Sequence, residues 1–251
     1  MNKFILLLSF FAVHGLTAQT VTGDWFYVPG DSFSSLQATN GDTAEIPSSG
    51  VDQIWDYSTL VGLAGGTNDL VDPSVMTQSD SFPNATVATG VPGVAEIYYA
   101  NTGDTLLIDG IYQNIQGELF INYLPGQGEL LATAPLSFSD TLNHTIRGGV
   151  QFAGMSADIL AVQQLSYNGI GEVRLPTGDT IGGVAYLKTE VFSPDGLALA
   201  NVHLLLKNSF ANPLIQVTEN FDPNTGATTR GVFWQSDFDT TTSTDLSLIH
   251  I

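Results

Sequence analysis

The sequence contains no cysteine, and only six Lys or Arg stand against 25 Asp or Glu among its 251 residues. Without thiols it has no disulfide, no thiolate metal site and no cysteine nucleophile. A formal net charge of −19 repels phosphate backbones and anionic bilayer surfaces, which excludes nucleic acid and electrostatic lipid binding as partner classes. Catalytic signatures are missing as well: there is no Gly-x-Ser-x-Gly elbow, His-Glu-x-x-His, Walker loop or Gly-x-Gly-x-x-Gly. Gly154-Met-Ser-Ala-Asp158 stops short of the elbow at its last glycine. Capped helical periods longer than about ten residues are absent. Yet 43% of the residues are hydrophobic and 10% aromatic, too apolar for a disordered acidic tail, so a packed core is expected.

The most apolar stretch lies at the start. Lys3 supplies a positive n-region, residues 4–13 (FILLLSFFAV) a short apolar h-region, and Leu16-Thr17-Ala18 a small-residue cleavage site. Residues 1–18 are therefore expected to be a signal peptide. The h-region is too short to span a bilayer, and no later run approaches the ~20 apolar residues of a membrane helix. With no cysteine after the h-region, lipoprotein acylation has no acceptor. The expected product is a β-rich exported domain over residues 19–245, secreted or at the cell surface and without a transmembrane segment.

Charge is divided unevenly along it. Residues 19–146 carry fifteen acids and no Lys or Arg, while Arg147, Arg174, Lys188, Lys207 and Arg230 all follow. Carboxylates without cations stay solvated, accept backbone hydrogen bonds in turns, or bind metal. Solvated turn and surface acids are the plainer reading, with calcium as the alternative cofactor. Asp222-Pro-Asn-Thr-Gly226 places oxygen donors at Asp222 and Asn224 beside a turn glycine, but it lacks the third ligand and distant Glu of an EF-hand. An Asp-initiated turn accounts for the same residues.

Glycine and proline punctuate runs of β-branched and aromatic residues. Residues 94–100 and 105–108 flank Asn101-Thr-Gly-Asp104 as a hairpin. Further strands are expected at 118–124, 143–152, 159–167, 171–175, 183–192, 197–207, 213–220 and 230–236. In 183–192, Val184, Tyr186, Lys188, Glu190 and Phe192 share one face, with Ala185, Leu187, Thr189 and Val191 on the other. Ser193-Pro-Asp-Gly196 and Asp222-Pro-Asn-Thr-Gly226 supply hairpin turns. The pattern predicts an all-β, antiparallel, sandwich-like fold. A single unit is favoured over two β-subdomains divided near 130–140, where prolines coincide with the change in charge.

Candidate site residues are few. Trp25, Tyr98 and Tyr99 could stack on a ligand if exposed, although each fits a sandwich core equally well, and Trp55 and Trp234 read as core. His144 and His203 are the only histidines inside the expected domain apart from terminal His250, and His203 sits in an apolar strand. Asp-Thr followed by a mostly aliphatic residue recurs at Thr43, Thr105, Thr141, Thr180 and Thr240. Geometrically, Asp closes a turn and Thr opens the next strand. The same pattern resembles the Asp-Ser/Thr-aliphatic O-glycosylation acceptor of exported Bacteroidota proteins.

A resemblance extends over nearly the whole expected domain. Pro29-Gly-Asp-Ser-Phe33, Gly50-Val-Asp-Gln-Ile-Trp-Asp-Tyr57 with Leu60, Ser81-Phe-Pro-Asn-Ala85, Ser137-Phe-Ser-Asp-Thr141, Gly171-Glu-Val-Arg-Leu-Pro-Thr-Gly178 and Asn212-Pro-Leu-Ile-Gln216 occur in a characteristic order. That order resembles the N-terminal β-rich regions of exported Bacteroidota proteins of the type IX secretion kind, which a C-terminal sorting domain usually follows. The family implies no settled activity. This chain departs from it at Gly183-Val-Ala-Tyr-Leu-Lys188, which keeps only the last cation of a usually basic strand. Residues 246–251, Leu-Ser-Leu-Ile-His-Ile, resemble the translated start of a sequencing adapter and read as a non-native or truncated end.

The functional expectation is a noncatalytic secreted or cell-surface module for adhesion or glycan binding, with a glycan or a cell-surface protein as partner. Two alternatives stay open: a glycan-acting hydrolase using paired carboxylates, and a calcium-stabilised structural domain.

Overall fold

The computed structural model describes residues 20–236 except 64, 209, 211 and 224. Fifteen strands run β1 (Ser32–Ala38), β2 (Gly50–Asp56), β3 (Gly62–Leu63), β4 (Thr67–Asp69), β5 (Val87–Val91), β6 (Ala95–Asn101), β7 (Thr105–Asn114), β8 (Glu118–Tyr123), β9 (Glu129–Thr133), β10 (Thr141–Phe152), β11 (Met155–Arg174), β12 (Thr180–Phe192), β13 (Ala198–Leu206), β14 (Ile215–Phe221) and β15 (Thr228–Gln235). The helical content is limited to single 3₁₀ turns. The chain is all-β, as the punctuation by turn residues predicts.

One sheet joins all the strands in the order β3-β1-β15-β14-β13-β12-β11-β10-β8-β7-β6-β5, with β2, β4 and β9 attached beside the path. It is antiparallel except where β2 runs parallel to β11, and it does not close into a barrel. Across residues 130–140, which include most of β9, β8 pairs directly with β10. Each predicted hairpin turn is present: Gly196, at φ +87°, lets residues 193–196 close β12 onto β13, and residues 222–227 link β14 to β15. Two expected strands, 159–167 and 171–175, are one twenty-residue strand, β11. Bulges between Tyr167 and Gly169 and between Gly171 and Glu172 bend it without ending it.

The sheet folds over so that β7 and β9 lie across the inner face of β11–β13. The largest apolar cluster fills this fold, with Leu106, Leu107 and Leu130 on one side and Leu165, Leu187 and Leu204 on the other. A second cluster lies on the outer face, where Trp55, Tyr57 and Leu60 cover Tyr186, Leu205 and Ile215. This explains β12: its alternating faces are as the sequence predicts, and both are covered over much of the strand. A third, smaller cluster lays Phe82 and Met76 over Tyr98 and Tyr112. Glycine is required there, because a Cβ at position 110 would stand 2.0 Å from the Phe82 ring.

Candidate functional site

Where the inner face is not fully packed, two neighbouring cavities open. The inner one, about 130 Å³, lies between Ile108 and residues 129–131 on one side and Gln163, Thr189, Val202 and Leu204 on the other, with Trp25 and Tyr27 along its wall. The outer one, about 220 Å³, is bounded by Phe33, Ser35, Tyr99, Asn212 and Phe233. Tyr27, Pro213 and Gln216 line both. Along β13 the pleat sends Val202 and Leu204 to the inner cavity, whereas the consecutive Phe233 and Trp234 of β15 both line the outer one.

Aromatic rings shape the outer cavity. Tyr27 stacks with Phe33 at 5.9 Å between centroids and meets Tyr99 edge-on at 4.9 Å. The Tyr27 hydroxyl donates to Asn212 Oδ1 at 3.1 Å, and Asn101 Nδ2 donates to the Tyr27 carbonyl at 3.0 Å, so the central ring is held at both ends. Ser35, Asn212, Gln216 and Phe233 are half-buried and form its more accessible rim.

The inner cavity combines apolar walls with a few polar groups. Gln163, fully buried, accepts from Leu130 N–H at 2.8 Å and donates to the Leu130 carbonyl at 2.6 Å, tying β9 down over β11. Glu129 is partly buried, and burial alone pushes its carboxyl above the ordinary carboxylate range. The indole Nε1–H of Trp25, a residue only 1% exposed, has no hydrogen-bond partner.

A separate polar network crosses the outer face. Arg230 donates to Glu219 Oε1 at 3.0 Å and to the Ala44 carbonyl at 2.6 Å. Glu219 Oε2 lies 3.3 Å from His203 Nε2, and His203 Nδ1 lies 2.7 Å from the Tyr186 hydroxyl. A carboxylate only accepts, so Nε2 carries the ring proton and Nδ1 accepts from tyrosine. Burial lowers the His203 pKa, with Lys188 and Arg230 adding to the effect and Glu219 opposing it. Both ring nitrogens are engaged, one by Glu219 and one by Tyr186. His144 is likewise engaged, 2.7 Å from the Gly128 carbonyl.

The predicted residues separate. Trp25 lines the inner cavity and Tyr99 the outer one. Tyr98 faces away from both: its ring stacks on Phe82 at 4.2 Å, and its hydroxyl donates to Glu96 at 2.5 Å. None of the three is an exposed platform, their exposures being 1%, 7% and 0%, because covering segments bury both faces of the sheet. Trp55 and Trp234 are core residues, and Trp234 also lines the outer cavity. Asp222 accepts from the Thr225 hydroxyl at 2.6 Å within its turn, whereas Asn224 lies outside the described residues. No group of three metal-ligating side chains occurs among the described residues. Thr43, Thr141 and Thr180 are exposed and Thr105 partly so, while Thr240 lies outside the described residues. Thr105, Thr141 and Thr180 each open a strand, the geometry expected of an Asp-closed turn. Thr43 instead ends a 3₁₀ turn.

Sequence reasoning passed over Tyr27, Phe33, Glu129 and Gln163. For Glu129 a signal was present: an acid heads the short apolar run Glu129-Leu-Leu-Ala-Thr133, in a half of the chain without cations. The two cavities contain a single carboxylate, Glu129, whereas paired-carboxylate glycoside hydrolysis needs two at about 5–9.5 Å. No family model, curated protein or solved structure matches the chain.

Proposed function

We propose that this chain is a noncatalytic, exported β-rich module that binds a glycan in the outer, aromatic-lined cavity. The observation carrying this reading is the convergence of Tyr27, Phe33 and Tyr99 with the rim amides of Asn212 and Gln216. Aromatic faces stack on the apolar faces of sugar rings, and side-chain amides exchange hydrogen bonds with hydroxyls. Export is supported by Lys3 and the apolar residues 4–13, and by the resemblance to type IX secretion substrates. No described helix is long and apolar enough to cross a membrane. The exposed Asp-Thr threonines at 43, 141 and 180 are proposed O-glycan acceptors.

Glycan-array screening followed by calorimetry tests the binding role. Ser35→Trp fills the cavity from its half-buried rim without truncating the core. Saturable glycan binding that this substitution abolishes supports the reading. Absence of binding by the folded protein, or binding unaffected by Ser35→Trp, overturns it.

A further inference from the structure

The inner cavity presents a problem of charge. Glu129 brings a carboxyl to a wall otherwise built largely from aliphatic and aromatic groups, and an ion in such surroundings needs a partner. The ion pairs among the described residues join Arg174 to Asp56, Lys188 to Glu190, and Arg230 to Glu219, none of them involving Glu129. Tyr99 and Tyr123, which feel its charge, are acids themselves and cannot serve as counter-ions. Nor does residues 19–146, the half of the chain that contains it, supply any Lys or Arg.

Two other features narrow what could complete the site. Trp25 and Tyr27 contribute ring surface, which attracts cations through the negative face of the π system. The unpartnered Trp25 Nε1–H can donate to an acceptor on the same guest. Size sets an upper limit: a cavity of about 130 Å³ approaches the ~150 Å³ of apolar cavities that admit benzene, so the guest has roughly six to eight non-hydrogen atoms.

We propose that the inner cavity binds a compact organic ammonium ion, with the Glu129 carboxylate as its counter-ion and the Trp25 and Tyr27 rings as its walls. The ammonium group replaces the cation that the protein does not provide, and the apolar body of the guest fills the space beside Ile108, Leu131 and Val202. The net negative charge of the chain raises the local concentration of cations around the site. This site shares Tyr27, Pro213 and Gln216 with the outer cavity assigned to a glycan, but Glu129 and Val202 line it alone and Ser35 lines only the other, so substitutions at these positions test the two separately.

The test uses the whole chain at pH 7 and three matched probes: benzylammonium, benzyl alcohol and benzoate. Calorimetry and tryptophan fluorescence should show saturable binding of benzylammonium, at least tenfold weaker binding of benzyl alcohol, and none of benzoate. Glu129→Gln should remove the preference for the ammonium while leaving the circular dichroism spectrum unchanged. Val202→Phe, which fills the cavity and keeps Glu129, should abolish binding of all probes. The assignment is overturned if folded wild-type protein does not bind benzylammonium, if benzyl alcohol binds equally well, or if Glu129→Gln retains the tenfold preference.

Discussion

The side-chain amide of Gln163 makes both hydrogen bonds of a neighbouring strand with the backbone of Leu130, at 2.8 Å and 2.6 Å. β9 pairs with β7 on one side, and Gln163 supplies what a further strand would supply on the other. Leu130 itself is buried, so its N–H and carbonyl have no ready access to water. Gln163→Leu should therefore destabilise the fold by about 2–4 kcal/mol, through loss of two hydrogen bonds and stranding of two buried backbone groups. Urea unfolding measures this, and a loss under about 1 kcal/mol would show that β9 does not depend on the amide.

Gly110 admits the Phe82 ring. Gly110→Ala would place a methyl 2.0 Å from Phe82 Cε1 and 2.9 Å from the Ile121 carbonyl oxygen, and overpacking of this kind costs about 1–3 kcal/mol. Adding Phe82→Leu should recover part of the loss, because it removes the ring that clashes. A double-mutant cycle by thermal unfolding reads the coupling, and strictly additive effects would contradict the contact.

Glu96, which is buried, and Glu129, which is partly buried, should have opposite pH dependences. At Glu96, burial opposes the charge, but the Tyr98 hydroxyl and the N–H groups of Gly93, Thr77 and Gln78 outweigh it and hold the carboxyl below its ordinary range. Its folded state binds fewer protons, so its contribution is present above the unfolded pKa of ~4.3 and is lost as pH falls through the folded value. Glu96→Gln should be most destabilising near pH 7 and least at pH 3.

At Glu129 the sign reverses. Burial raises the carboxyl, so the folded state retains its proton longer, and stability declines as pH rises from the unfolded value to the folded one. Glu129→Gln should gain stability over the wild type at pH 7 and show little difference at pH 3. Exposed Glu118→Gln controls for the loss of one negative charge from the chain. Urea unfolding at pH 3, 5 and 7 settles both carboxyls, and parallel trends for the two would refute these assignments.

Arg230 couples three segments through Glu219 and the Ala44 carbonyl. Arg230→Met keeps much of the aliphatic volume but leaves the 12%-exposed Glu219 carboxylate without its cation. The expected loss is about 1–3 kcal/mol. Glu219→Gln should lessen it in the double variant by removing the stranded charge. If the double variant is no more stable than Arg230→Met, the ion pair is not what Arg230 contributes.

Strands β6–β8 and β10–β15 were legible because their runs are long, alternate clearly and end in residues with specific turn chemistry. β1–β5 and β9 were not, being short or rich in polar residues and glycine, and several gain order from what packs on them. Gly50-Val-Asp-Gln-Ile-Trp-Asp56 became a strand by pairing parallel with β11, a contact some 120 residues distant along the chain that no local pattern encodes. At the candidate site, aromatic type singled out Trp25 and Tyr99. Neighbouring Tyr98 has the same side chain as Tyr99, and the pleat sends it to the opposite face.

Side-chain period, turn geometry and composition are enough to specify the class of fold, the main hairpins and the separation of charge. That Glu129, Trp25 and Tyr27 share one cavity, that Gln163 acts as a surrogate strand for Leu130, and that the expected stacking residues are interior emerge from long-range packing alone. Burial, desolvation and cavity shape depend on which distant segments cover a face. That choice is made when the sheet folds over on itself.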